Sequence, residues 1–419
     1  MVAQAEPRVA ILGLNYAPEE IGIGAFTGGM ARGLAHAGLP IRAIVGKPYY
    51  PQWRTWDGYR KFGWQSARED GVAVIRCPHY VPATPSGLKR IVHLASFAFS
   101  ALPPAFALAL GKRASKPEVV MCIAPALLSV PVAWLLARLA GARLWIHVQD
   151  FEVEAAFATG LVGGGGIAAR LARTLESRLL RLADRVSTIS PQMCAKLLEK
   201  GVPAERVTEL RNWANAPEPD PAGGAAYRTE WGLGNRRIAL YSGNIANKQG
   251  IEIIVDAARL LAGREDLHFV ICGEGPNRAR LQALAAGLDN ISFHDLQPAA
   301  RVGELLTLAS VHLLPQIAGA ADLVLPSKLA NMLFSGRPVV ATALPGTGLH
   351  AEVEGCGVCT PPGDAAAFAA ALADLLDDPG EAARLGAAAR ARGIARWSQS
   401  AVIARLARQL RTLCGREAA

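Results

Sequence analysis

The stretch Trp145-Ile-His147-Val-Gln-Asp150-Phe-Glu152-Val-Glu154 sets an imidazole and three carboxylates at the end of an apolar run. Histidine titrates nearest neutrality, and a carboxylate beside it can orient a hydroxyl or accept its proton. His147 and Asp150 are therefore the candidate catalytic pair. The competing reading of His147 is a structural histidine with its hydrogen bonds satisfied.

Four further loops suit an anionic, hydroxyl-rich ligand. Asn15-Tyr-Ala-Pro-Glu-Glu-Ile-Gly22-Ile-Gly24 follows an apolar run and opens a helix, where glycines and the helix dipole favour phosphate. It lacks the GxGxxG spacing of a dinucleotide fingerprint, which disfavours a nicotinamide dehydrogenase. Ser242-Gly-Asn244-Ile-Ala-Asn-Lys248-Gln-Gly250 adds a cation to a glycine turn, which fits a diphosphate. Cys272-Gly273-Glu-Gly275-Pro276 is a tight turn of the same strand-to-helix kind. In the stretch from Gly319 to Asn331, Asp322, Ser327, Lys328 and Asn331 gather an acid, a hydroxyl, a cation and an amide around one helix N-terminus. Ser327 is also suited simply to cap that helix.

These loops need a scaffold that turns strand ends toward one place. Apolar runs at 8–15, 41–45, 72–77, 119–124, 144–148 and 186–189 alternate with helical stretches at 25–37, 88–111, 127–140 and 167–183. This alternation predicts a doubly wound parallel sheet. Residues 214–224, ANAPEPDPAGG, break it. The pattern then repeats, with strands at 238–242, 269–272, 291–293, 311–314 and 339–341. Helices at 250–262, 277–286, 299–309 and 327–335 separate them, and the tail at 364–414 reads as two or three helices. The chain is expected to be α/β: two Rossmann-like domains with ligand loops at their strand C-termini, facing a central cleft. The expected boundaries are 1–213, 225–395, and a C-terminal helix at 396–419 packing back toward the first domain.

Bulk composition agrees. The 419 residues suit two domains, and 51% hydrophobic with 19% charged residues is globular rather than disordered. A net charge of +9 favours anionic partners such as phosphates or lipid headgroups. The 7 cysteines are an odd, scattered set that reads as reduced thiols, with Cys356-Gly-Val-Cys359 a lone pair and neither a zinc nor a redox motif. The start of the chain reads as a strand and not as a signal peptide.

The order of motifs resembles glycosyltransferase family four, with the GT-B fold, and within it the colanic-acid-type exopolysaccharide fucosyltransferase group. The resemblance is carried by NYAPEEIGIGAFTGGMARGLAHAG, PYYPQW, RCPHYVPATPSGLKRIVHLASF, HVQDFEVEA, STISPQM, LYSGNIANKQGIE, GAADLVLPSKLANML and GRPVVAT. It implies transfer of a sugar from a GDP- or UDP-sugar to a hydroxyl of a lipid-linked glycan, with retained configuration and no obligatory metal or other cofactor. Fucose is among the sugars implied. By resemblance the Gly22/Gly24 loop lies near the donor diphosphate, Lys248 binds it, and Gly273 and Gly275 form the turn near the nucleotide. His147 and Asp150 would face the acceptor. An arginine common in the family is replaced near Asn244. The family's two glutamates, with seven residues between them, fall here on Leu323 and Asn331, so a ribose contact would be an uncharged amide.

Residues 91–110, IVHLASFAFSALPPAFALAL, are long enough to span a bilayer, but Pro103 and Pro104 argue against an uninterrupted helix. Lys89, Arg90, Lys112, Arg113 and Lys116 flank the run, which suits a helix lying on an anionic membrane. The expected location is cytoplasmic, held peripherally at the inner face of the cell membrane, with no nucleic-acid partner. A buried helix of the first domain is the alternative. Two other functions fit the same fold: a sugar-nucleotide 2-epimerase, and a non-catalytic nucleotide-binding protein.

Overall fold

The structure is a computed structural model that describes residues 5–20, 22–84, 86–151, 166–214, 223–245, 249–318 and 325–416. The chain divides into two compact units: residues 1–212 with 402–419, and residues 213–401.

The first unit holds β1 (Val9–Gly13), β2 (Ile41–Gly46), β3 (Gln65–Glu69), β4 (Val72–Cys77), β5 (Val119–Ala124), β6 (Arg143–Val148), β7 (Arg185–Thr188) and β8 (Val207–Glu209). They form one sheet in the order β3-β4-β2-β1-β5-β6-β7-β8. Every pairing is parallel except that of β3 with β4. All of β5 is buried, as expected of a central strand covered on both faces. Helices α1 (Ile23–His36), α2 (Gly87–Leu110), α3 (Val130–Ala140), α4 (Ile167–Leu180) and α5 (Pro191–Glu199) connect the strands.

The second unit holds β9 (Arg237–Ser242), β10 (Leu267–Cys272), β11 (Ile291–His294), β12 (Val311–Leu314), β13 (Val339–Thr342) and β14 (Gly357–Thr360). All are parallel, in the order β11-β10-β9-β12-β13-β14. This is the doubly wound 3-2-1-4-5-6 order. The parallel strands of the first unit follow the same order and extend it by one. Its helices are α6 (Gly224–Glu230), α7 (Glu252–Leu260), α8 (Arg278–Leu284), α9 (Val302–Leu308), α10 (Ser327–Phe334), α11 (Gly348–Val353), α12 (Ala365–Asp377) and α13 (Pro379–Trp397).

A final helix, α14 (Gln399–Leu413), runs into the first unit. Arg411 pairs with Glu6 at 2.9 Å, and Gln409 Nε2 donates to Thr208 Oγ1 at 2.9 Å. A Cβ on Gly33 of α1 would stand 2.8 Å from Ile403 Cγ1, so the glycine lets the two helices approach.

The expected break at Pro103 and Pro104 is absent: α2 is continuous from Gly87 to Leu110. Pro104 has no N–H for the carbonyl of Ser100 one turn back. Trp64 Nε1 supplies the missing donor, at 2.8 Å from Ser100 O. The inner face of α2 buries Phe97, Ala101, Ala105 and Ala109, while Leu88 (74%) and Phe99 (72%) are exposed. By length and composition α2 is apolar enough to cross a membrane, and 33% of its most apolar stretch is buried within the protein.

Candidate functional site

In an open parallel sheet the ligand loops lie beyond the carboxyl ends of the strands, at the point where the strand order reverses. The first unit reverses between β1 and β5, the second between β9 and β12.

At the edge of the first unit, Glu19 organises the loop after β1. Its carboxylate accepts from the backbone N–H of Tyr49 (2.9 Å) and of Tyr50 (3.0 Å), and from Asn15 Nδ2 (2.9 Å). Burial pushes its pKa up, and these three donors oppose that rise. Glu19 thereby ties the loop after β1 to the loop after β2. Gly24 is needed for this: a Cβ there would stand 2.6 Å from Glu19 Oε2. Gly22 occupies the cap position of α1. The structure thus gives the glycine of Gly24 a packing reason distinct from ligand approach, and Glu19 is a residue that motif reading passed over. Its signal was the pair of acids Glu19-Glu20 in the loop after the first apolar run.

Two buried cations brace the same edge. Arg76 pairs with Glu69 at 2.8 Å and donates to Ala17 O at 2.7 Å, joining β4 to the loop after β1. Lys47 donates to the carbonyls of Arg60, Phe62 and Gly63, and burial lowers its pKa. Beside them His79 and His93 form an aromatic nest with Tyr49 and Trp53. The two imidazole centroids are 5.1 Å apart, and His93 lies 4.7 Å from Tyr49. Burial pushes the pKa of His79 down to about 3 and lowers that of His93.

His147 and Asp150 sit at the end of β6 in different environments. His147 is 1% exposed, and its Nδ1 lies 2.9 Å from Ser187 Oγ, its register partner on β7. Trp145 Nε1 donates to the same hydroxyl at 2.8 Å. Burial lowers the imidazole pKa to about 4, so at neutral pH it is an uncharged ring that can orient a group but carries no cation. Asp150 is exposed, and its Oδ1 accepts from the backbone N–H of Phe151 at 2.8 Å. Glu152 and Glu154 lie outside the described residues.

At the edge of the second unit, two loops are stitched together. Gly243 N–H donates to Cys272 O at 2.9 Å, and Ile245 N–H donates to Glu274 O at 2.8 Å. A Cβ on Gly273 would stand 1.9 Å from Gly243 O, and one on Gly275 would stand 2.2 Å from Ile245 O. Backbone crosses directly over both glycines, so any side chain there would force the loops apart.

Lys328, at the start of α10, reaches this seam. Its Nζ donates to Tyr241 OH at 2.7 Å and lies 4.1 Å from the centre of that ring. Tyr241 OH donates in turn to Asn244 O at 2.6 Å. A Cβ built on Gly243 would meet Lys328 Nζ at 3.5 Å, so the ammonium stands over the loop after β9. Lys328, Asn244, Gly273 and Gly275 are thus brought to one strand-end edge. Asn331 lies on the same helix, three residues along, and is partly exposed. Pro326 occupies the cap position of α10 and Ser327 is its first residue, so Ser327 is not the cap that its type suggested. Lys248 and Asp322 lie outside the described residues.

Such an edge, with a cation standing over a glycine loop and a helix start, can take a diphosphate. Residues 22–213 match a glycosyl transferase 4-like domain, and residues 236–378 match the glycosyl transferases group 1 domain. The chain is 42% identical to a putative colanic acid biosynthesis glycosyl transferase, WcaI, of Escherichia coli, over 88% of this chain and 92% of that protein. Among solved structures it is similar to the sucrose-phosphate synthase of Thermosynechococcus elongatus, with a TM-score of 0.69, 19% identity and coverage of 98% of this chain and 100% of that one. It is also similar to HepE of Anabaena in complex with UDP, with a TM-score of 0.63, 15% identity and coverage of 97% and 100%. At these identities the structures speak for the fold.

Proposed function

The chain belongs to the glycosyltransferases built from a 4-like domain and a group 1 domain on the GT-B fold, and on that premise we propose that it transfers a sugar from a nucleoside-diphospho-sugar to a hydroxyl of a lipid-linked glycan in exopolysaccharide assembly. The observation that carries this reading is Lys328, whose ammonium stands over the glycine loop after β9 at the reversal of the second sheet. A departing nucleoside diphosphate gains negative charge as the glycosidic bond breaks. A fixed cation and backbone N–H groups stabilise that charge. Lys248 is proposed as a second cation for the same group, with Asp322, Ser327 and Asn331 toward the nucleoside or sugar hydroxyls.

Transfer is proposed to retain configuration, with the acceptor hydroxyl attacking on the face that the diphosphate leaves. No protein nucleophile and no obligatory metal are then required. Asp150, exposed at the end of β6, is proposed to accept the hydroxyl proton, and His147, an uncharged ring, to orient a substrate oxygen. The first unit is proposed to take the acceptor and the second the donor. The relative from Escherichia coli is a putative colanic acid biosynthesis glycosyl transferase, which supports an exopolysaccharide product. HepE was solved with UDP, which supports a nucleotide-sugar donor. GDP-fucose is our proposed donor, as the sequence resemblance implies.

A lipid-linked acceptor requires access to a membrane. The exposed apolar side of α2, with Lys89 and Arg90 at its start, supports peripheral contact with an anionic inner leaflet. The test is a panel of UDP- and GDP-sugars with purified protein and a membrane lipid extract. Release of nucleoside diphosphate from one donor, dependent on lipid and lost in Lys328→Ala, is the expected result. No turnover with any donor, while nucleotide still binds, would return the protein to the epimerase or binding-protein reading.

A further inference from the structure

Gln149 stands between the two candidate catalytic residues and was given no role by its motif. It follows β6, and its backbone N–H donates to Ala124 O at the end of β5, at 2.9 Å. The side chain is 6% exposed. Asn212 Nδ2 donates to Gln149 Oε1 at 3.0 Å, which fixes the amide with its oxygen toward Asn212. The opposite atom, Nε2, is shielded from solvent and has no hydrogen-bond partner among the described residues. A buried amide nitrogen with both protons unspent is costly, and folded proteins seldom leave one so. Where such a group persists at a strand end beside an exposed carboxylate, a ligand atom is the economical partner.

We propose that Gln149 is a positioning residue for the acceptor, its Nε2 donating a hydrogen bond to a hydroxyl or glycosidic oxygen of the acceptor saccharide beside Asp150. Because Nε2 can only donate, it takes an oxygen lone pair and leaves the acceptor's own hydroxyl proton for Asp150. Asn212 acts through Gln149 by holding the amide in the orientation that presents the donor. The inference rests on the transferase reading and on the assignment of the acceptor to the first unit.

The test turns on an amide flip. In Asn212→Asp the new carboxylate can only accept, so Gln149 turns its Nε2 toward it and presents Oε1 instead. The internal hydrogen bond is kept and the fold with it, yet the donor is lost. Gln149→Ala removes the donor outright. With the full-length protein, its donor sugar nucleotide and a lipid-extract acceptor, both variants should raise the KM for acceptor about tenfold while the KM for donor stays at the wild-type value. The melting temperature of Asn212→Asp should match wild type. A wild-type acceptor KM in Asn212→Asp would overturn the inference, even if Gln149→Ala fails to fold. A rise confined to the donor KM would also overturn it, by moving the contact to the nucleotide sugar. Absence of transfer by the wild-type protein with any donor would instead remove the transferase reading beneath it.

Discussion

Trp64 donates its indole N–H to the main-chain carbonyl of Ser100, the one group in α2 that Pro104 leaves without its helical donor. The bond stands in for the helix's own at Pro104, inside a helix that continues through both prolines. Trp64→Phe should therefore destabilise the protein by about 1–2 kcal/mol in urea unfolding, since it leaves a main-chain acceptor unpaired. Pro104→Ala supplies an N–H to the same carbonyl and should recover part of the loss in the double variant. Equal stability of Trp64→Phe and wild type would show that the bond contributes nothing.

Lys328→Ala should lower kcat/KM for the nucleotide sugar about a hundredfold, the scale of removing one fixed charge-stabilising donor. Lys328→Arg should restore little, because a planar guanidinium cannot occupy the place of an ammonium held between a phenol and a glycine loop. Full activity in Lys328→Ala would assign the diphosphate elsewhere.

Gly273→Ala places a methyl group 1.9 Å from Gly243 O, inside any permissible contact. The two loops must separate, and we expect a loss of roughly 2–4 kcal/mol on thermal unfolding together with weaker nucleotide binding by calorimetry. Gly287→Ala is the control, because the space around that Cβ is open. Its turn has a left-handed φ of +83°, so it should cost about 1 kcal/mol from backbone strain alone.

Acid should destabilise the protein well before its carboxylates titrate. His147 is pushed to about 4, His268 to about 4, His79 to about 3 and His312 to about 3, all by burial. Below about pH 6.5 the unfolded chain takes up protons that these folded imidazoles refuse, so stability falls as pH falls. Each such histidine contributes a slope of up to about 1.4 kcal/mol per pH unit between its folded value and about 6.5. Unfolding free energy measured from pH 7 to 4.5 should show a summed slope above that of any one group, and His312→Asn should flatten it. A flat profile over that range would show that these rings are not held neutral.

The exposed side of α2 yields a binding prediction. Phe99→Glu and Leu88→Glu change side chains 72% and 74% exposed, so the melting temperature should stay within about 2 °C of wild type. Sedimentation with vesicles containing anionic lipid should nevertheless fall, and added salt should weaken what remains. Wild-type sedimentation in both variants would assign α2 to packing alone.

The central strands were legible because a parallel strand covered on both faces must be a continuous apolar run, as in β5 and β10. β3 was not, because Gln65–Glu69 is a polar antiparallel edge whose character depends on pairing with β4. The donor that meets the carbonyl opened by Pro104 is an indole 36 residues away, which no local pattern contains. At the candidate site the residue types were legible and their reasons were not. Gly24 is small because Glu19 lies against it, and Gly273 and Gly275 because Gly243 and Ile245 cross them. Gln149 went unnoticed because an amide becomes informative only when one half of it is seen to be unpaired.

The return of α14 to the first unit sets an order of events during synthesis. Residues 213–401 form the second unit as one uninterrupted stretch, whereas the first unit needs residues 402–416 to cover Gly33 and to pair with Glu6 and Glu118. On the ribosome the half that begins first is therefore finished last, waiting with an uncovered face of α1 while the whole of the other half is made. A pause or truncation between residues 401 and 416 would release a chain with one closed unit and one open one, so fusion partners and cleavage sites belong elsewhere than this junction.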